Sequence, residues 1–279
     1  MCLLLIAYRQ HPRFPLLLLA NRDEFYRRPS AAAHSWQDRP LVAGRDLEAG
    51  GTWLGIAPGG RVAAVTNMRE PGIAPPPLPL SRGEIPVDFL TGCQPPEAFA
   101  GALDGRRYQG FNALLFAIAE SPQLVWAGNR HQPFSVTPGF HGISNGAPDA
   151  PWPKVQRGCE GLAALVNTLA ATPEAPLTQS NFVAPALALL ANDERYPPPQ
   201  LPDTGVGPQL ERALSSIFVR IGRSDLPAGD PPYTAMESGY GTRASTLVAV
   251  DDRGATRLWE QTIEQGRPPG PPRQLQCPA

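Results

Sequence analysis

Lysine is almost missing from this chain: of its 24 basic residues only Lys154 is a lysine. A lysine-based mechanism is therefore disfavoured, and no GxxxxGK[ST] phosphate loop occurs. Histidine is nearly as scarce. His11, His34, His131 and His141 are the full set, and no two stand at metal-ligand spacing, so a site without metal is expected. The four cysteines, Cys2, Cys93, Cys159 and Cys277, form no CxxC pair, which argues against a zinc ribbon or a thioredoxin-type centre. They are also too sparse for a secreted disulfide scaffold. Long apolar runs are absent too. Residues 3–7 stop at Tyr8-Arg9 and residues 16–20 stop at Asn21, far short of the ~20 residues of a membrane span. The first residues lack the basic stretch of an export signal. The expectation is a cytoplasmic protein with no membrane span. Charge of one sign is missing as well: 24 basic against 25 acidic residues give −1, so no global field draws the chain to nucleic acid.

What is plentiful is proline and glycine, 35 and 27 residues, which predict many loops and broken helices. Hydrophobic content of 42% is enough for a sizeable core. Cys2–Tyr8 and residues 15–20 read as a buried hairpin, and residues 52–57 and 61–66 as a second around Pro58-Gly59-Gly60. Further strands are expected over residues 111–119, 123–127, 139–144, 216–221, 245–251 and 256–261. Short turns between them imply mostly antiparallel sheets. Ser81-Arg82-Gly83-Glu84 has a capping-box pattern opening a helix to about residue 91. Other helices are expected from Pro95-Pro96-Glu97 to about 105, from Lys154 to about 171 and over 180–191. Strands flank a helical middle with no long flexible linker, so residues 1–279 read as one layered α+β domain.

Cys2 is the most informative residue. Removal of Met1 would leave cysteine first, with a free α-amine beside its own thiol. That amine, with an ordinary pKa of ~7.7–8.0, is partly neutral near neutral pH and could serve the thiol as general base. The plain alternative is a small apolar residue opening a buried strand. Asn21-Arg22-Asp23-Glu24 follows the strand that would pair with the one carrying Cys2. A carboxylate there could hold the amine and an asparagine could orient it. The alternative is an exposed polar turn.

Met-Cys at the start, with Asn-Arg-Asp-Glu about twenty residues on, resembles the NRDE proteins, the transport-and-Golgi-organisation protein 2 family. Gly51-Thr52-Trp53-Leu54-Gly55, Val65-Thr66-Asn67-Met68-Arg69, Ser81-Arg82-Gly83, Gly110-Phe111-Asn112 and Ser144-Asn145 match in order. Pro151-Trp152-Pro153-Lys154-Val155 and Gly241-Thr242-Arg243-Ala244-Ser245-Thr246 complete the set. The family is similar in turn to the cysteine N-terminal-nucleophile hydrolases of the bile salt hydrolase and penicillin V acylase type. That resemblance implies a four-layer αββα sandwich of two mainly antiparallel sheets. It also implies Cys2 as nucleophile, Asp23 holding the terminal amine, Asn145 donating to the oxyanion, and Arg243 tuning the thiol. Asn67 is a second oxyanion candidate. Ala20 stands where those hydrolases carry an arginine.

The resemblance implies amide or thioester hydrolysis with no required cofactor. From a different class, the same pocket could carry haem, an acyl-CoA or a lipid without turnover. Asn21, Arg22, Glu24 and Arg69 are candidate substrate or ligand contacts, and Arg22, Arg69 and Arg243 could pair with phosphates or propionates. His11, His34, His131 and Cys2 are conceivable haem ligands. Loops over residues 71–80, 193–207 and 223–239 are expected to wall the pocket, and Lys154 matches the family without an assigned role.

Overall fold

The structure, a computed structural model, describes residues 2–118, 120–226 and 239–277. Met1, the expected strand end at 119 and most of the third expected loop (227–238) lie outside the described residues. The chain opens with β1 (Cys2–Tyr8), β2 (Leu16–Phe25), β3 (Ser30–Ser35), β4 (Val42–Asp46), β5 (Leu54–Ala57) and β6 (Arg61–Asn67). Helices α1 (Glu84–Thr91) and α2 (Pro96–Ala102) follow, then β7 (Phe111–Ile118), β8 (Pro122–Gly128), β9 (Phe134–Ser135) and β10 (Gly139–Ile143). The remainder is α3 (Pro153–Ala170), α4 (Ala184–Leu190), α5 (Pro208–Ala213), β11 (Arg220–Ile221), β12 (Tyr240–Val250), β13 (Thr256–Thr262) and β14 (Arg273–Cys277).

Two seven-stranded antiparallel sheets result. One runs β10-β1-β2-β12-β13-β14, with β11 also on β12; the other runs β3 to β9 in sequence order. The apolar runs at 3–7 and 16–20 are continuous, rather than alternating, because the first sheet is covered on both faces. Leu4, Ile6, Tyr8, Leu16, Leu18 and Val248 meet Val62, Ala64, Leu114 and Phe116 of the second sheet. The residues between them along the strands, Leu3, Leu5, Leu17, Leu19 and Leu247, pack on Val155, Leu162, Val166 and Ala186 of α3 and α4. The outer face of the second sheet, Ala63, Ala113 and Leu115, packs on Ile85 and Phe89 of α1 and Ala100 of α2. A two-residue period along a strand thus sorts its side chains into two cores. The layering is helix, sheet, sheet, helix, as expected from the family resemblance.

Several local expectations are corrected. No side chain caps α1, which starts at Glu84 behind Gly83; the Ser81 hydroxyl instead accepts the Gly83 amide at 3.3 Å. The strand expected at 216–221 shrinks to Arg220–Ile221, because Phe218 N donates to Asn192 O and Val219 N to Thr242 Oγ1. The helix expected over 180–191 begins as a π-turn, Gln179–Val183, before α4. The Asn-Arg-Asp-Glu segment is strand, not a turn after one. β12 starts at Tyr240 and pairs with β2 all the way to Phe25, which satisfies the backbone of the polar stretch.

Candidate active site

Cys2 opens β1, directly across from Arg22 of β2. By strand parity its side chain shares the inter-sheet face with Leu4 and Ile6, so it sits at the end of the sandwich core. There it opens into a cleft of two adjoining lobes. The first, a cavity of about 500 Å³, is polar and is lined by Cys2, Arg22, Arg28, Asp46, Glu48 and Arg82 among others. The second, about 400 Å³, is lined by Phe25, Ile73, Pro76, Leu210, Leu214 and Tyr240 among others. Glu24, Asn67, Arg82 and Gln109 belong to both and form the waist. Pro71 to Leu80 contributes walls to both lobes and Val206 to the second, at two of the three expected loops.

The polar tetrad of β2 divides between the two sides of the sheet. Arg22 faces the other sheet, its guanidinium 4.2 Å above the Trp53 ring and 3.6 Å from the Asp46 carboxylate. Asp23 faces the helical layer and is 1% exposed. Its carboxylate accepts the Thr242 hydroxyl at 2.7 Å, and its carbonyl accepts the Tyr240 hydroxyl at 3.1 Å. Burial pushes the Asp23 carboxyl above its ordinary pKa, with the Lys154 ammonium pulling the other way. Asn21 is turned fully into the helical side. Its amide donates to Leu190 O and Ile217 O, both at 2.9 Å, and its carbonyl accepts the Ser245 hydroxyl. It lines neither lobe. Glu24 stands at the waist.

Burial also pushes the Cys2 thiol up, Asp23 and Glu24 add to the rise, and Arg22 opposes it. A thiol so placed needs a base. The loop after β10 closes over the start of β1: Ser144 Oγ donates to Cys2 O at 3.0 Å. Asn145, next along, is 1% exposed and lines the second lobe; one of its amide hydrogens goes to Asn67 O at 2.8 Å. The other hydrogen, and the whole side-chain amide of Asn67 at the waist, remain for a ligand oxygen among the described residues. Two latches hold this loop. His141 bonds the Asp149 carboxylate at 2.8 Å, and Asp149 accepts the Gly142 amide.

Arg243 is not brought to the thiol. β12 bulges there, between Thr242 and Ala244, and the extra residue swings its guanidinium onto the carbonyls of Phe25, Tyr26 and Arg28. Arg69 points at the second lobe but its guanidinium pairs with Glu211 at 2.8 Å and Thr204 at 3.1 Å. Beside Arg22, a second cation on the Cys2 side of the cleft is Arg82, which precedes α1 and lines both lobes. Burial lowers its pKa, and the Cys2 thiol and Glu24 act against that fall. Its one hydrogen bond among the described residues goes to Gly110 O at 3.2 Å. Ser81-Arg82-Gly83 was legible as a motif, but nothing in the sequence tied it to Cys2. No histidine lines either lobe, and Cys2 is the one cysteine that does, among the described residues. All four cysteines are free thiols, and no described helix is long and apolar enough to cross a membrane.

A sequence profile described as Transport and Golgi organisation 2 matches residues 1–265. The bovine Transport and Golgi organization protein 2 homolog is 31% identical over 94% of this chain and 93% of its own length. The human homolog is 31% identical over the same shares. The Drosophila melanogaster Transport and Golgi organization protein 2 is 26% identical over 94% of this chain and 92% of its own length.

Proposed function

The chain belongs to the Transport and Golgi organisation 2 family, and on that premise we propose that it is an N-terminal-cysteine hydrolase acting on an acyl amide or acyl thioester. The observation that carries the reading is the position of Cys2, in the wall of a polar lobe that adjoins an apolar lobe. An acyl chain fits the apolar side and its polar leaving group the other.

Met1 removal would free the Cys2 amine. The amine nitrogen takes the thiol proton, and the thiolate sulfur attacks the acyl carbonyl carbon, whose π electrons move to oxygen. In this reading Asn67 and the spare Asn145 hydrogen donate to that oxygen, and losing one such donor costs about 2.7–4 kcal/mol of transition-state stabilisation. The oxyanion collapses, the bond to the leaving nitrogen or sulfur breaks, and the ammonium returns its proton to the leaving atom. Water, deprotonated by the same amine, then cleaves the thioester on Cys2 and releases the acid. Arg82 favours the thiolate throughout. The four free thiols support a reducing compartment, the cytoplasm.

The test begins with the intact mass, which reports whether Met1 is gone. A screen of acyl amides, lactones and acyl-CoA thioesters follows, with Cys2→Ala as control. Turnover is expected to fall at least about a thousandfold in Cys2→Ala, the fold being kept. Retained Met1, or a substrate that Cys2→Ala processes normally, ends the proposal. The apolar lobe also supports a second reading, a carrier of a lipid, an acyl-CoA or haem. A haem in this cleft would have only Cys2 as a side-chain iron ligand of histidine or cysteine type. Co-purified acyl chains or a Soret band, with no turnover, would favour the carrier.

A further inference from the structure

Asn112, the end of the Gly110-Phe111-Asn112 motif, lines neither lobe of the cleft, yet it is 1% exposed at the second residue of β7. A buried side-chain amide has to place its hydrogen bonds. Its Nδ2 donates to Gly146 O at 3.0 Å, and its Oδ1 meets His131 Nε2 at 3.1 Å. Chemistry fixes which end is which. A backbone carbonyl only accepts, so the amide nitrogen must face Gly146, and the oxygen is left to face the imidazole. His131 Nε2 therefore carries its hydrogen toward Asn112. The ring is anchored in turn: its Nδ1 meets Gln132 O at 2.9 Å, and it stands edge-on to Phe134 with centroids 5.6 Å apart. Gly128, the cross-strand partner of Asn112 on β8, makes room for it, since a Cβ there would come within 2.7 Å of Nε2.

Gly146 is the residue after Asn145. Three consecutive residues of this loop are tied to three strands: Ser144 to Cys2 O of β1 at 3.0 Å, Asn145 to Asn67 O of β6 at 2.8 Å, and Gly146 to Asn112 of β7. The first two ties are made by side chains of the loop itself. The loop backbone is gripped from outside at two successive carbonyls, Asn145 O by the Arg69 amide at 2.9 Å and Gly146 O by Asn112. Gly146 is also pressed on Trp152, whose ring would lie 2.7 Å from a Cβ at that position. We propose that Asn112, oriented by His131, is a positioning residue for Asn145: it fixes the loop so that the Asn145 hydrogen not taken by Asn67 O is aimed at the acyl oxygen. A misplacement of about 1 Å at a reacting centre costs up to about a hundredfold in rate. This inference rests on the hydrolase reading, and its test is separable from it.

The experiment uses the full chain, with p-nitrophenyl butyrate as the acyl probe and hydrogen exchange of segment 139–152 followed by mass spectrometry. Asn112→Ala is expected to lower kcat about tenfold to a hundredfold while KM stays within about twofold. Exchange at residues 144–146 is expected to quicken about threefold to tenfold, the effect of losing one hydrogen bond on a loop. In an Asn145→Ala background, Asn112→Ala is expected to change kcat by no more than about twofold, because the group it positions is gone. A merely structural role would lower kcat by the same factor in both backgrounds, and that result overturns the proposal. His131→Gln, which keeps a donor toward Asn112, is expected to match the parent, and His131→Phe to follow Asn112→Ala. If Asn112→Ala does not fold, the two variants at 131 make the same comparison, and equal kcat and exchange in both overturn the proposal. If the parent does not turn the ester over, the hydrolase reading loses its support from this probe and the exchange decides alone: unchanged exchange in Asn112→Ala overturns the positioning role, and faster exchange upholds the grip on the loop.

Discussion

The Gly51-Thr52-Trp53-Leu54-Gly55 motif has a steric reason that Gly51→Ala would expose. Gly51 passes against Gly83, the residue between Arg82 and α1. A Cβ on Gly51 would lie 2.4 Å from the Gly83 carbonyl carbon, 2.5 Å from its oxygen and 2.8 Å from its Cα. Unstrained carbon contacts fall at about 3.5–4.0 Å, so the overlap is about 1 Å. All three atoms are backbone, and no rotamer change relieves them. The seam must open, at about 1–3 kcal/mol for overpacking. The hydrogen bond from Thr52 N to Gly83 O, now 3.0 Å, goes with it, adding about 0.5–1.5 kcal/mol. A total of about 1.5–4.5 kcal/mol corresponds to a fall in Tm of about 3–18 °C. Gly101→Ala is the control: it sits in α2 with nothing within 4 Å of the new Cβ, and is expected to be neutral or stabilising by up to about 1 kcal/mol. Thermal unfolding by circular dichroism measures both. Because the seam carries Arg82, alkylation of Cys2 by iodoacetamide should also slow in Gly51→Ala. A parental Tm refutes the steric argument. A lowered Tm with unchanged Cys2 reactivity refutes the link from the seam through Arg82 to the thiol.

Two pH predictions accompany it. Burial raises the pKa of Glu260, whose carboxylate accepts the Ala33 amide across the two sheets at 2.5 Å. A carboxyl raised in the fold adds stability below its unfolded value of about 4.3 and loses it as pH climbs through the folded value. Glu260→Gln keeps an acceptor oxygen, so its urea midpoint should exceed the parent's at about pH 8 and vary less with pH; a variant that loses stability with rising pH as steeply as the parent contradicts this. The Asp149 hydrogen bond raises the pKa of His141, so its contribution is complete below about pH 6.5 and fades as pH rises through the raised value. Asp149→Asn should remove that slope and loosen the loop carrying Asn145, seen as faster amide exchange at Asn145; unchanged slope and exchange would show that the latch holds nothing.

Much of the fold was legible because burial on both faces leaves a plain mark. The runs at 3–7 and 16–20, short, apolar and bounded by turn residues, read as buried strands. Edge strands were not legible: β3 reads Ser-Ala-Ala-Ala-His-Ser and is half exposed, and β9 is two exposed residues, so neither carries a period. The NRDE segment was misjudged locally for a related reason. Polar residues in sequence resemble a turn, and only the long-range pairing with β12 makes them strand. The site divides in the same way. Cys2 was marked by its position in the chain, and Asp23 and Asn145 by the family pattern. Arg243 was also marked by the family pattern, but a bulge in β12 turns its guanidinium onto the carbonyls of Phe25, Tyr26 and Arg28, while nothing in the sequence pointed to Arg82.

The sequence by itself determined the strand-rich layering, the family and the nucleophile candidate, since each is written in local pattern or order along the chain. The tertiary structure alone decided which charges meet. Lys154, Arg69, Asp23 and Glu211 come from four separate segments, and ionic interactions depend on distance and burial, which sequence spacing does not encode. It is this packing that buries the chain's single lysine at the start of α3, with its ammonium on the Leu214 carbonyl.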